Sequence, residues 1–371
     1  MIKKESSAMN IVFRADANNK IGMGHIMRCL SIADVFKSLG HCVSFVIADS
    51  EIHPLVSAKY KTRLLNSDYK DMDSELKSWP EDTDADIIIV DSYFVTKKYL
   101  STLKQKYYLI YIDDILSFPY PADILINYNI YSSNENYKAL YKGTNIAIPN
   151  LFLGPTFTPL RSMFKNIEQK KQSLNVHNVL ISTGGADEFH LALTILKILI
   201  EENTNSYIYH ILVGKMNPDK ALLRTLSEGH DYIILHENVT DMKSLIMKCD
   251  IAISAAGSTL YEICACGTPV ITYSIADNQI PGAKTFERLG LGINIGDLRK
   301  SNSALQNKEK QINLEALNSL FRAIKTLANN YNLRLKMSLQ MQKNIDGCGA
   351  ERIVQKILNT QKGLAKNPIH K

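Results

Sequence analysis

The sequence predicts an α/β protein built from two parallel-sheet domains of similar size, joined by one linker. Three observations carry this. Apolar runs such as residues 87–90 and 107–112 are continuous rather than alternating, as expected of strands buried on both faces. Segments of helical period separate them, which makes strand–helix–strand units and therefore a parallel sheet. The succession of strand, glycine loop and helix occurs near Asn10 and starts again near Asn178, and 371 residues is chain enough for two cores.

Residues 10–13 are the first strand. A polar turn leads to Gly22-x-Gly24-His25, and residues 26–39 follow with helical period until Gly40. Glycine lets backbone come close to a ligand, and a helix start offers free N–H groups to a phosphate or another anion. His25 stands at that mouth and can exchange a proton near neutral pH. The third glycine of a dinucleotide fingerprint is missing, because Met27 and Arg28 occupy its place, and no Walker lysine follows. On these residues alone, a tight turn with a surface histidine stays open as the alternative.

Residues 41–47 are the next strand. The polar stretch after it has helical character at 68–79. Its pairs Asp71-x-Asp73 and Asp84-x-Asp86 read as a solvated face, with a two-carboxylate metal site as the alternative. Three strands follow: residues 87–90, ending in Asp91-Ser92-Tyr93; residues 107–112, ending in Asp113-Asp114; and residues 122–126, closing with Asn127 and Asn129. The carboxyl ends of parallel strands line the ligand crevice. Asp91, Tyr93 and the Asp113-Asp114 pair are therefore candidates, the pair either orienting a histidine or capping the next turn. A tyrosine-rich loop runs to about Tyr141, and a short strand is expected at 145–148.

Gly154, Pro155 and Pro159 then lead into a polar helical stretch at 161–173. This gives an N-terminal domain over residues 9–158, a linker over 159–175 and a C-terminal domain over 176–360. Residues before Met9 read as a floppy extension and residues 361–371 as a disordered tail. The second domain opens with a strand at 178–181, the loop Ser182-Thr183-Gly184-Gly185-Ala186-Asp187 and a helix at 191–199. Strands at 207–213 and 232–235 and a helix at 238–249 come next. The densest signal follows: a strand at 250–253, the small-residue loop Ser254-Ala-Ala-Gly257-Ser258-Thr259, and a helix through Glu262 that Gly267 and Pro269 stop. Such a loop is suited to cradling a diphosphate. Glu262 reads either as an acceptor for ribose hydroxyls or as the capping-box partner of Thr259. After a strand at 270–273, Asn278 and Gln279 bring side-chain amides to a strand end, where they suit a sugar or a plain turn. A helix at 283–289, a short strand within 290–296, one long amphipathic helix at 313–340, a turn at Asp346-Gly-Cys-Gly349 and a last helix at 350–358 complete the chain.

Composition narrows the partners. The net charge is +6, but the basic residues are scattered among nearly as many acids, which speaks against nucleic acid. None of the six cysteines forms a Cys-x-x-Cys pair, so buried thiols in a reducing compartment are expected. No run approaches the roughly 20 apolar residues of a membrane span, nor does the N-terminus carry an apolar signal core. The expectation is a cytoplasmic protein with no membrane insertion, no metal and no cofactor, acting as a monomer on a small molecule.

The stretches FRADANNKIGMGHIMRCLSIA, IIIVDSY, ISTGGAD, SAAGSTLYEICACGTPVITYSIADNQ and DGCGAERIV resemble the UDP-2,4-diacetamido-2,4,6-trideoxy-β-L-altropyranose hydrolases of pseudaminic acid biosynthesis. That family is similar in fold to GT-B glycosyltransferases, including the one that adds N-acetylglucosamine to lipid-linked peptidoglycan precursors. The matching blocks run from about Asn10 to Val354. The resemblance implies two Rossmann-like domains with an inter-domain cleft. It also implies metal-independent, inverting hydrolysis of the anomeric C–O bond, releasing UDP and the free sugar for nonulosonic acid used in surface polysaccharide or flagellin glycosylation. His25, Tyr93 and Asn278 take the catalytic positions. Gly22, Gly24, Arg28, Asp113, Gly184, Gly185, Gly257, Ser258, Thr259, Glu262 and Gln279 are the expected contacts to UDP and sugar. The chain looks longer than a minimal family member at residues 51–84 and 299–313. A GT-B glycosyltransferase, a hydrolysing UDP-sugar epimerase and a non-catalytic nucleotide-sugar binding protein are the rivals.

Overall fold

The computed structural model describes residues 8–18, 20–80, 82–202, 205–299 and 312–366. The chain divides into two units, Met1–Ser162 with Cys348–Lys371, and Met163–Gly347.

The first unit contains β1 (Asn10–Ala15), α1 (Gly24–Ser38), β2 (Cys42–Ile47), α2 (His53–Ser57), β3 (Lys61–Leu64), α3 (Met72–Glu75), β4 (Ile87–Asp91), α4 (Lys97–Lys104), β5 (Tyr108–Ile112), β6 (Ile124–Asn127), α5 (Asn134–Tyr141) and β7 (Asn150–Leu153). Its seven strands run parallel in the order β3-β2-β1-β4-β5-β6-β7. All five residues of β4 are buried, which is why that run has no alternation. On one face Val12, Ile88, Val90, Leu109 and Tyr111 pack with Trp79 and with Tyr99, Leu100 and Leu103 of α4. On β1 and β2, Phe13 and Phe45 stack at 5.0 Å.

The second unit contains β8 (Asn178–Ser182), α6 (Leu191–Glu201), β9 (Ile208–Val213), α7 (Lys220–Ser227), β10 (Ile233–Glu237), α8 (Met242–Lys248), β11 (Ile251–Ala255), α9 (Ser258–Cys266), β12 (Val270–Ser274), α10 (Ile280–Arg288), β13 (Ile293–Asp297), α11 (Leu314–Ala328) and α12 (Tyr331–Asn344). Its parallel sheet has the order β10-β9-β8-β11-β12-β13. The order reverses between β1 and β4 in one sheet and between β8 and β11 in the other. Those are the switch points where α/β sheets open a crevice at the strands' carboxyl ends.

The structure corrects the sequence reading in several places. The strand expected at 145–148 is β7 instead. Pro149 has no N–H for a ladder, and pairing begins beyond it, with Asn150 donating to the Asp123 carbonyl. The polar stretch at 161–173 is not a helix beyond a short 3-10 turn at Ser162–Phe164. The long helix at 313–340 is broken into α11 and α12. The Asn330 side chain accepts from the Leu333 N–H and caps α12, while the Arg334 guanidinium donates to the Leu327 and Ala328 carbonyls at the end of α11. The tyrosine-rich loop contains α5. The last helix, α13 (Gly349–Lys366), belongs to the first unit rather than the second and packs on α1. Residues 361–366, expected in a disordered tail, continue that helix. Residues 1–7, 300–311 and 367–371, where the floppy start, most of the second insertion and the end of the tail were expected, lie outside the described residues.

Candidate functional site

The first cluster sits at the β1/β4 switch point. Gly22 takes φ of +72°, which brings the polar turn back on itself, and its N–H donates to the Asn18 carbonyl. Helix α1 begins two residues later with no side-chain cap, so His25 is its second residue. The imidazole is buried, with its Nδ1 2.6 Å from Asp91 Oδ1 at the end of β4. Its Nε2 has no hydrogen-bond partner. The Tyr93 ring packs edge-on against it, with centroids 4.3 Å apart.

Arg28 lies one turn further along α1. Its Nε donates to Asp91 Oδ2 and its Nη2 to Asp91 Oδ1, both at 2.5 Å, and its Nη1 donates to Tyr128 at 2.8 Å and to Asp114 at 3.1 Å. Tyr93 donates to the same Asp114 oxygen at 3.2 Å. Burial raises the Asp91 carboxyl's pKa, but the Arg28 and His25 charges and hydrogen bonds outweigh it and hold the group well below its ordinary value. Burial pushes the Tyr93 phenol up, and Asp114 adds to the effect.

Two of the expected substrate contacts have partners within the protein. Arg28 is buried and its guanidinium is committed to Asp91, Asp114 and Tyr128, so it is part of the site's frame. Asp113 accepts from Tyr120, Tyr137 and the N–H groups of Ile115 and Leu116, which fixes the loop after β5. Its neighbour Asp114 is the carboxylate that faces His25's surroundings. Tyr128 was missed by sequence reasoning. It directly follows β6, so the strand-end rule that singled out Asn127 and Asn129 reaches it too.

The aspartate pairs of the first insertion are structural. Asp71 caps α3 through the Ser74 N–H, Asp73 accepts from Thr96, and Asp84 and Asp86 accept from Asn10. The same insertion supplies Glu75, fully buried, which takes two hydrogen bonds from Arg14 of β1 and one from Tyr99. Arg14 also pairs with Asp16, whose carboxylate receives the Ala48 and Asp49 N–H groups. This buried network ties the end of β1 to the end of β2, just before the turn that carries Gly22. Among the described residues, no group of three His, Cys, Asp or Glu is placed to hold a metal ion. No helix among them is long and apolar enough to cross a membrane.

The second cluster belongs to the second unit. Gly257 is the N-cap of α9, and no side chain makes a capping hydrogen bond there. Ser258 is exposed and Thr259 half-buried in the first turn. Because the cap is Gly257 and not Thr259, Glu262 lies in the second turn and the capping-box reading fails. Gln279 approaches to 3.9 Å from where a side chain on Gly257 would begin, and its Oε1 accepts from the Ile275 N–H. Asn278 is half-buried in the same turn after β12. The loop after β8 differs. Gly184 takes φ of +94°, but the amides that open α6 are already taken, since the Asp187 carboxylate accepts from the Leu191 and Ala192 N–H groups. Gly184 and Gly185 instead form a wall against Gly214, where a methyl group would meet the Gly185 oxygen at 2.3 Å.

Comparisons with known proteins bear on the fold and the family. Residues 179–338 match the glycosyltransferase family 28 C-terminal domain. The chain is 30% identical over 275 residues to the Helicobacter pylori protein "Pseudaminic acid cytidylyltransferase and UDP-2,4-diacetamido-2,4,6-trideoxy-beta-L-altropyranose hydrolase", covering 73% of this chain and 45% of that one. It spans about half the length of that protein and of a second curated relative, from Methanocaldococcus jannaschii. It is 26% identical over 255 residues to the Campylobacter jejuni UDP-2,4-diacetamido-2,4,6-trideoxy-beta-L-altropyranose hydrolase, covering 67% of this chain and 86% of that one. Among solved structures it superposes on Acinetobacter baumannii MurG with a TM-score of 0.59 at 13% identity, covering 95% of this chain and 99% of that one. The chain thus has a GT-B fold of two parallel-sheet α/β units, matches the glycosyltransferase family 28 C-terminal domain over residues 179–338, and resembles the UDP-sugar hydrolases of the pseudaminic acid pathway.

Proposed function

We propose that the protein hydrolyses a UDP-linked diacetamido-trideoxy sugar at its anomeric C–O bond, without a metal and with inversion. The observation that carries this reading is His25: a buried imidazole, tied through one nitrogen to Asp91, whose other nitrogen has no partner. Leaving a buried polar atom unpaired costs about 1–3 kcal/mol, a cost a folded protein tolerates where the atom has a task. In the reaction His25 takes a proton from water as the water oxygen bonds to the anomeric carbon. The C–O bond to the diphosphate breaks, UDP leaves with the electron pair, and the imidazolium returns its proton to solvent. The open start of α9, with Gly257, Ser258 and Thr259, receives the diphosphate and offsets its growing charge. Glu262 takes the ribose hydroxyls, and Asn278 and Gln279 the sugar. Tyr93, whose ring packs edge-on against the imidazole, flanks the reacting water. A monomeric, cytoplasmic protein is part of this reading.

The test is release of free UDP from the UDP-linked diacetamido sugar with no acceptor present. Hydrolysis is expected in the native protein. It should fall at least a hundredfold in His25→Ala, with UDP affinity kept within about threefold. Turnover that appears only when an acceptor is added would instead establish a glycosyltransferase, the reading that the family 28 match favours. UDP-sugar binding with no turnover under either condition would leave a binding protein.

A further inference from the structure

Two donors crowd one oxygen beside His25. Asp91 Oδ1 lies 2.6 Å from His25 Nδ1 and 2.5 Å from Arg28 Nη2, and those two nitrogens are 2.8 Å apart. Two assignments of the ring proton compete. If Nδ1 were bare, it could accept from Arg28, but its lone pair would then face a carboxylate oxygen at 2.6 Å. If Nδ1 carries the proton, it donates to Oδ1, Arg28 donates to the same oxygen, and the short nitrogen–nitrogen distance follows from the shared acceptor. The second arrangement replaces a lone-pair repulsion with a charge-assisted hydrogen bond. Arg28 can give up its approach to His25 freely, since it keeps both bonds to Asp91.

We propose that Asp91 is a positioning residue which, gripped at both oxygens by Arg28, locks His25 in the tautomer with its proton on Nδ1 and keeps Nε2 as the acceptor for the water's proton. The proposal rests on the hydrolase reading for its catalytic consequence, but the tautomer itself does not. Arg28's bidentate grip stops the carboxylate from rotating. The ring touches Asp91 at the end of β4, Tyr93 just after it and Arg28 of α1; behind these, Cys29 donates to Asp91, and Asp114 after β5 and Tyr128 after β6 accept from Arg28. Asp91 is the acceptor among them within hydrogen-bond distance of a ring nitrogen.

The experiment is a nitrogen NMR spectrum of protein labelled with 15N-histidine at pH 8, with His25 assigned by subtracting the spectrum of His25→Gln. A protonated, pyrrole-type Nδ1 and a bare, pyridine-type Nε2 are expected, and the reverse pattern overturns the proposal. The second arm is Asp91→Asn, whose amide must turn a donor toward either Arg28 or His25. The expected result is a fall in kcat of about thirtyfold or more at unchanged KM. Turnover within threefold of the native protein overturns the proposal. If the native protein released no UDP from any UDP-sugar, the hydrolase reading would fall while the NMR arm still decided the lock.

Discussion

At the scale of residues, the His25 site depends on a balance of buried charge. Arg28 and Asp91 are worth little as a pair compared with what either costs alone. Arg28→Met should therefore destabilise the fold by about 3–5 kcal/mol in urea, by leaving Asp91 buried and unpaired. Arg28→Lys should recover only part of that, because an ammonium cannot span both carboxylate oxygens. The same pair sets a pH dependence. Asp91's folded pKa lies well below the ordinary carboxylate range, held there against burial by Arg28 and His25. Its contribution to stability is thus complete above the unfolded value and drains away as pH falls below about 4. The stability gap between the native protein and Asp91→Asn, measured by urea titration, should be constant from pH 7 to 5 and narrow steadily below pH 4. A gap that stayed level down to pH 2.5 would mean that Asp91 is not ionised against Arg28.

At the scale of elements, the glycines of the resemblance blocks have steric jobs. A side chain on Gly349 would begin 2.0 Å from the Thr158 oxygen. Backbone on both sides leaves nothing to yield, so Gly349→Ala should cost at least about 2 kcal/mol by thermal unfolding, well beyond the propensity gain of alanine in a helix. Gly214→Ala meets the Gly185 and Gly184 oxygens and must push the loop after β8. If that loop borders the UDP site, UDP affinity should drop several-fold while the β-sheet signal in circular dichroism holds. Lys170 has a similar structural role. Its buried ammonium donates to the carbonyls of Met247 and Cys249 and to the Thr268 hydroxyl, closing the end of α8. Burial lowers its pKa to about 8. The unfolded chain then holds more protons than the folded one between pH 8 and 10.5, so this residue makes stability rise with pH across that window. The rise, up to about 3 kcal/mol, should vanish in Lys170→Met.

The elements also explain what the sequence could reveal. Local patterns were readable: the unbroken apolar run of β4, the glycine turn before α1, and the small-residue loop before α9 each announce themselves within a dozen residues. β3 was not readable, because Lys61–Leu64 is a mostly exposed edge strand with no apolar period. Choices made by distant partners were not readable either. Nothing in Asp113-Asp114 says which carboxylate Tyr120 and Tyr137 will claim, and nothing near Arg28 says that residues 63 and 86 positions away will saturate it. Both cases are of one kind: a polar side chain expected to meet the substrate is held by the protein's own groups.

At the scale of the whole molecule, the important fact is that the first unit is discontinuous. The chain leaves it at Ser162, builds the second unit, and returns with α13. The helix pattern of α13 shows why the return matters. Ala350, Ile353, Val354 and Ile357 lie at the spacing of one helical stripe, and all four are buried. The sequence shows that stripe but not which unit it joins, so proximity in the chain favoured the second domain. Burying Ile353, Val354 and Ile357 is worth about 1.5–3 kcal/mol each, a sum comparable to the whole stability of an ordinary domain, about 5–15 kcal/mol. A chain ended after Gly347 should accordingly keep its second unit and lose its first. Hydrogen exchange is the measurement. Amide protection should collapse across β1 to β7 and persist across β8 to β13, and UDP should still raise the melting temperature of what remains. Protection lost equally from both sheets would show that the second unit cannot stand alone. Protection kept in β1 to β7 would show that α13 is an accessory to the first unit and not part of its core.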